Sequence, residues 1–361
     1  MARIDAILKL VREQGASDLH MTTGSQPMVR INGEITPVPY EQLTPELAQL
    51  LLFEIMDANL RAKFERDKDV DFAYEVPGVM RVRCNIYEQH LGVAGAFRLL
   101  SSEIPSIEQL GLPEHLLRLT TLPRGLVLVT GPPGTGKSST LAMLIDHINQ
   151  TRKKHILTIE DPIEFRHKNA LSMITHREVG RNTPSFEQAL KAALREDPDV
   201  IMVGELRDTD TMALAITAAA TGQLVFATLH TMSATQTVDR VLDSFDAERQ
   251  SQVRLMLAES LRGVLAQRLL RRKSGHGRVL ALEVLLGNAA VSTLVREKKT
   301  FQLASVIQTG KKEGMQSMDD AVVRLYRDGL ISLEEAAPHV TSRDLLTPGA
   351  RPAAPPRAEA A

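Results

Sequence analysis

The stretch Leu126–Ser139, Leu-Val-Leu-Val-Thr-Gly-Pro-Pro-Gly-Thr-Gly-Lys-Ser-Ser, constrains what this chain can fold into more than any other. A short apolar run, Leu126–Val129, enters a loop carrying Gly131, Gly134 and Gly136. Lys137 and Ser138 then open a segment with apolar residues at Leu141, Leu144, Ile145 and Ile148. Strand, glycine loop and helix in that order match the phosphate-loop pattern G-x-x-x-x-G-K-S/T, running here from Gly131 to Ser138. Glycines let backbone N–H groups curl around the β- and γ-phosphates of a nucleoside triphosphate. Lys137 adds a point charge, Ser138 offers a hydroxyl to Mg²⁺, and the start of the helix favours an anion. Gly131, Pro132, Pro133, Gly134, Thr135, Gly136, Lys137, Ser138 and Ser139 are the candidate nucleotide contacts.

At 361 residues the chain is too long for one ordinary core, and two or three domains are expected. Lys and Arg number 43 against 44 Asp and Glu, so no overall field draws the protein to nucleic acid or an anionic membrane. Cys84 is the single cysteine, which excludes an internal disulfide and a cysteine-built zinc cage within one chain. The N-terminus has interspersed charges and no signal-peptide core, and no window approaches the ~18 apolar residues of a membrane span. A reducing, cytoplasmic location follows as the expectation.

Residues 1–100 read as a small α/β domain. Ile4, Ile7, Leu8 and Val11 recur at helical spacing, and Met28–Ile35 reads as two strands around an Asn32-Gly33 turn. Helical segments follow through Leu47 and Phe64, then strands at Val70–Tyr74, Val79–Tyr87 and Val93–Leu99. Strand alternation puts Arg81 and Arg83 on one face. With Arg98 they make either a solvated sheet face or a cationic surface that a neighbouring subunit could aim at a phosphate.

Residues 101–124, with Pro105, Gly111, Pro113 and Pro123, read as a linker. From 125 onward apolar runs at Leu126–Thr130, His155–Ile159, Val200–Val203 and Leu224–Thr228 alternate with helical patterns, as parallel βαβ units require. Helices are expected at Ser185–Leu194, Thr209–Gly222, Ala234–Phe245 and Glu248–Leu270, then a strand pair near Val279–Leu286 and short helices to 346. The segment 347–361, of proline, alanine, arginine and glutamate, is expected to be disordered.

Hydrolysis needs carboxylates near the phosphates as well as a cradle. Val200-Ile-Met-Val-Gly-Glu205 is an apolar strand ending in a carboxylate, with Gly204 where such strands usually carry aspartate, and Glu205 suits metal contact through water or the role of base. Ile156–Glu164 places Glu160, Asp161 and Glu164 just past another strand. Leu224–His230 ends in Thr-Leu-His, whose imidazole can hydrogen-bond a phosphate oxygen. Taken singly, each acid could merely cap a strand end, and the histidine could be structural.

In this order the elements resemble the secretion ATPase superfamily, most closely the retraction ATPases of type IV pili. The resemblance runs over almost the whole chain, through Gln14–His20, Arg124–Gly131, Ile156–Phe165, Arg177–Val179, Ala193–Glu205, Thr228–Thr231, Ile307–Gly310 and Gly314–Gln316. It implies an α/β protein with a PAS-like N-terminal domain (1–100), the linker 101–124, a RecA-like phosphate-loop ATPase core (125–270) and an appended C-terminal part (271–346). It further implies a homo-hexameric ring with ATP and Mg²⁺, and Arg81, Arg83 and Arg98 reaching phosphates. Glu160 and Glu205 become the catalytic carboxylates, His230 the sensor, and Ser138 with Glu205 the metal contacts. The partner implied is the inner-membrane pilus platform protein, met at the cytoplasmic face of the pilus base, and the outcome is disassembly of the pilus.

Two departures stand out. Ala220-Thr-Gly-Gln223 replaces the family's Glu-Thr-Gly-His, and Ala290–Glu297 lacks an arginine of the C-terminal motif associated with retraction. They motivate a second reading, an accessory paralogue working with another retraction ATPase. A pilus-extension or secretion ATPase fits less well, because such relatives usually carry a four-cysteine zinc module. A nucleic-acid motor is disfavoured by the balanced charge, the absence of Trp and only 4 Tyr. Its one candidate patch is Arg268, Arg271, Arg272 and Lys273.

Overall fold

The computed structural model describes residues 2–31, 33–100 and 103–347. Asn32 of the expected turn, Ser101 and Ser102 of the expected linker, and all of the expected disordered tail except Thr347 lie outside these. Two compact units emerge: Met1–Glu103 with Pro162–Arg166, and Ile104–Asp161 with His167–Ala361.

The first unit holds α1 (Ile4–Glu13), β1 (Asp18–Thr22), β2 (Met28–Ile31), β3 (Glu34–Pro37), α2 (Pro45–Phe53), α3 (Ala58–Asp67), β4 (Asp69–Val76), β5 (Met80–Gln89) and β6 (Gly92–Leu100). Its six strands form an antiparallel sheet in the order β3-β2-β1-β6-β5-β4. Ile4, Ile7, Leu8 and Val11 are buried along one stripe of α1, as their spacing requires. Thr44 and Asp57 cap α2 and α3 through their side chains. On β5, Val82, Cys84 and Ile86 enter the core, and Arg83 on the opposite face lies directly across from Arg98 of β6.

The second unit begins with α4 (Ile107–Leu110) and a 3₁₀ turn, Glu114–Thr121. There follow β7 (Gly125–Thr130), α5 (Lys137–Thr151), β8 (His155–Glu160), β9 (Met173–Glu178), α6 (Phe186–Ala193), β10 (Val200–Val203), α7 (Thr209–Thr221) and β11 (Leu224–Leu229). The remainder comprises α8 (Ala234–Asp243), α9 (Ala247–Ser260), β12 (Leu261–Arg271), β13 (Arg278–Leu286), α10 (Ala289–Arg296), α11 (Leu303–Thr309), α12 (Met318–Arg327) and α13 (Leu333–Ala336). The sheet order is β13-β12-β7-β11-β10-β8-β9, all parallel except the edge strand β13. β7, β10 and β11 are buried along their whole length, the pattern of parallel strands covered on both faces. The carboxylate of Glu283 on β13 accepts from the backbone N–H of Ala234 (2.7 Å) and Met318 (3.4 Å), so one side chain serves the N-termini of α8 and α12. Burial pushes its carboxyl up, and those two N–H groups oppose the shift.

Two elements differ from the sequence expectation. The helix expected over Glu248–Leu270 ends at Ser260, and Leu261–Arg271 is β12, which lies against β7 and supplies the second member of the strand pair expected near Val279–Leu286. Helix passes straight into strand with no Gly, Pro or polar cluster before Leu261, so no punctuation marks the change. The consecutive apolar run Val264–Ala266, buried throughout, is the signature of a central strand and has no helical period. β9 is an edge strand, mostly half-exposed, and its polar Thr-His-Arg-Glu stretch carries no strand pattern.

Candidate active site

Parallel strands deliver their C-terminal ends to one edge of the sheet, and four consecutive strands do so here. The register sets Thr130 of β7 beside Leu229 of β11, and Val203 of β10 beside both Ala227 of β11 and Ile159 of β8. Adjacent strands lie about 4.8 Å apart, so the phosphate loop, His230, Glu205 and Glu160 form a row along that edge. Open parallel sheets bind ligands there.

The loop's shape follows from its glycines and its neighbour β12. Gly131 adopts φ 142°, and a Cβ there would lie 2.4 Å from the carbonyl oxygen of Gln267, so no other residue fits. Lys137 is the first residue of α5 and is only 8% exposed. Its Nζ donates to the carbonyls of Gly131 (2.8 Å) and Pro132 (3.0 Å) and lies 3.3 Å from His230 Nδ1. Thr135 Oγ1 donates to Pro132 O at 2.9 Å, and Arg278 of β13 reaches Gly134 O at 3.3 Å. Below the loop, Gln267 Nε2 donates to Thr140 Oγ1 of α5 at 2.7 Å, tying helix to strand. Pro133 and Gly134 are exposed, while Ser138 and Ser139 are half-buried at the start of α5.

His230 joins this loop to the next carboxylate, its Nε2 lying 2.7 Å from Glu205 Oε1. Glu205 Oε2 in turn accepts from Arg207 Nε at 2.9 Å, and Arg207 Nη1 lies 3.6 Å from Asp161. Partial burial disfavours the ionised form of Glu205. The Arg207 hydrogen bond and charge, with His230, outweigh it and hold the carboxyl below the usual range. Gly204 N donates to Ile159 O at 2.8 Å, and a Cβ at Gly204 would sit 3.3 Å from that oxygen and 3.4 Å from Glu160 Cα. The approach of β10 to β8 leaves little room for a side chain at Gly204.

One strand further, Glu160 is 7% exposed, with Oε1 3.9 Å from His176 Nδ1 of β9. The structure therefore brings Lys137, His230 and Glu205 into one chain of contacts and sets Glu160 beside a histidine. In the first unit Arg81 is buried and donates to Ile163 O at 2.8 Å, Arg83 pairs with Asp71, and Arg98 Nε lies 2.9 Å from Asp18 Oδ1. Of the basic cluster, Arg268 lies 3.2 Å from His339 Nδ1 and Arg272 donates to Arg278 O. Sequence reasoning missed Arg207, Gln267 and His176. Only Arg207 had a signal, two residues past a singled-out acid.

The model of the Type II/IV secretion system protein family matches residues 1–337. The chain belongs to that family. It is 48% identical over 333 residues to the type IV pilus retractation ATPase PilT of Pseudomonas aeruginosa, covering 92% of this chain and 96% of that one. It is 38% identical to the type IV pilus ATPase PilU of the same organism, covering 94% and 88%. A crystal structure of the pilus retraction motor PilT with bound ADP superposes with a TM-score of 0.88 at 47% identity, covering 95% of this chain and 98% of that one. These likenesses bear out the α/β fold of this secretion-family member, a PAS-like N-terminal domain with a RecA-like phosphate-loop domain and appended helices. Among the described residues no helix is long and apolar enough to cross a membrane.

Proposed function

We propose that this chain is an ATPase, the subunit of a homo-hexameric motor that hydrolyses ATP to drive type IV pilus retraction and hence twitching motility. In this reading it works from the cytoplasmic face of the inner membrane on the platform protein at the pilus base. The observation that carries it is the continuous contact from Lys137 through His230 to Glu205 at the sheet edge, in a chain so similar to PilT. A phosphate-gripping ammonium, a γ-phosphate sensor and a carboxylate are thus mechanically linked.

The backbone amides of 131–139 and the Lys137 ammonium hold the β- and γ-phosphates. Glu205 and Glu160 polarise the attacking water, and His230, which already touches the Glu205 carboxylate, reports whether the γ-phosphate is present. The donor set suits magnesium, which favours hard oxygens, keeps several waters and needs few protein ligands: a half-buried Ser138 hydroxyl at the start of α5 and, through water, the Glu205 carboxylate. When bound, Mg²⁺ neutralises phosphate charge. Arg81, Arg83 and Arg98 of a neighbouring subunit face the phosphates across the ring. Residues 1–100 serve as the PAS-like domain, 125–270 as the core and 271–346 as the C-terminal part.

Replacing Lys137 by Ala removes the ammonium that now donates to the Gly131 and Pro132 carbonyls. ATP hydrolysis by the purified protein is expected to fall at least about 100-fold, the scale for losing a preorganised charge on a phosphoryl group. Hydrolysis at the wild-type rate would show the site to be wrong.

The accessory-paralogue reading draws on Gln223 and the altered 290–297 motif. Gln223 lies just before β11, at the end opposite His230, and its carbonyl accepts from Gly125 N at 3.0 Å, so the change is remote from the phosphate loop. Deleting the gene alone separates the readings: a lone motor predicts unretracted pili, an accessory subunit predicts normal retraction. ATPase stimulation by DNA or RNA would contradict both.

A further inference from the structure

β9 contributes nothing to the assignment above, yet it carries a histidine against the carboxylate at the end of β8. The parallel register pairs Thr158 with His176 and Glu160 with Glu178, so Thr158, His176 and Glu160 lie on one face of the two strands. His176 Nδ1 is 2.8 Å from Thr158 Oγ1 and 3.9 Å from Glu160 Oε1. Its Nε2 is 3.3 Å from both the backbone N and O of His167. A ring held at both nitrogens cannot turn without breaking a contact. The His167 ring stacks on it at 5.8 Å and 10°, and its buried Nδ1 lies 3.7 Å from Asp146 of α5, the helix that Lys137 begins. Burial, with His176 beside it, pushes the His167 imidazole down to about 4 against the pull of Asp146. At neutral pH the stacked partner is therefore uncharged.

We infer that His176 is a positioning residue for Glu160. This rests on the role proposed for Glu160 in hydrolysis. A water held by a carboxylate attacks in line only over a narrow range of positions, and misplacement by about 1 Å can cost 10²-fold in rate. A ring pinned by Thr158 on one side and the His167 backbone on the other presents Glu160 with a fixed polar wall. No covalent step is involved.

The test is steady-state ATP hydrolysis by the full-length protein. His176→Ala is expected to lower kcat about 10-fold while KM for ATP stays within about twofold, because the phosphate contacts are untouched. His176→Gln, which restores a hydrogen-bonding amide, is expected to recover most of kcat. Thr158→Val keeps shape and removes the hydroxyl that holds Nδ1. It is expected to lower kcat about threefold alone and to add nothing in the His176→Ala background. If His176→Ala does not fold, Thr158→Val decides. A folded His176→Ala with wild-type kcat, a change confined to KM, or a Thr158→Val effect that multiplies with His176→Ala would overturn the inference. Lys137→Ala run alongside separates the two levels. If it is inactive while His176→Ala is unaffected, only this inference fails; if Lys137→Ala hydrolyses normally, the reading it rests on fails first.

Discussion

The two sheets hold their charged groups in opposite ways. In the seven-stranded sheet Lys137, His230 and Glu205 stand just past strand ends and are bonded to one another across three neighbouring loops. In the six-stranded sheet Arg81, Arg83 and Arg98 lie within strands, and each has an acceptor in its own unit: Ile163 O, Asp71 and Asp18. A group past a strand end is positioned by the strand yet can rearrange without disturbing the ladder. A group within a strand is fixed in direction by the pleat. The strand-end groups are thus freer to rearrange than the arginine row, each member of which is held by an acceptor of its own unit.

The contrast implies a ranking of effects. Glu205→Gln removes the charge that both His230 and Arg207 contact, and kcat is expected to drop by about 10²–10⁴, the range for losing general acid–base help, with nucleotide binding retained. Fluorescent-nucleotide titration beside a phosphate-release assay checks both halves. A smaller effect belongs to His230→Ala, which leaves the Arg207 contact to Glu205 intact. About a tenfold loss of kcat is expected, and a loss as large as that of Glu205→Gln would mean the histidine does chemistry and not sensing.

Smallest is the effect of Arg98→Ala on stability. The Asp18 carboxyl, though partly buried, is held below its ordinary 3.8, burial being outweighed by the Ser17 hydroxyl and Arg98. A depressed carboxyl adds stability that is present above about pH 4 and lost as pH falls through its folded value. Removing Arg98, whose side chain is 70% exposed, should shrink the difference in unfolding free energy between pH 7 and pH 3 by under ~1 kcal/mol. Urea melts at the two pH values measure it. A loss of several kcal/mol would break the comparison, because the arginine row would then be structural.

Much of the larger unit could be read from the chain because its signals are local. The phosphate loop declares itself through Gly131, Gly136 and Lys137, and the buried strands β7, β10 and β11 are unbroken apolar runs. The helix start at Ser185 was legible because a serine there can accept from a backbone N–H three residues on, as it does. What was illegible depends on contacts distant in sequence. The place of β12 beside β7 follows from a pairing of residues far apart in the chain, and Gln267 matters only because its carbonyl fills the space a Cβ at Gly131 would take. The His230–Glu205 contact joins residues on different strands, and Arg81, Arg83 and Arg98 reveal their acceptors only once the register is known.

The central claim is that the amides and ammonium around Lys137 grip the triphosphate beside His230 and Glu205. A crystal structure of the protein with a non-hydrolysable ATP analogue and magnesium tests it most directly. The account predicts phosphate oxygens within hydrogen-bond distance of Lys137 Nζ and the 134–138 amides, with Glu205 on the γ-phosphate side. An analogue seated elsewhere, or phosphates out of reach of Lys137, would contradict it.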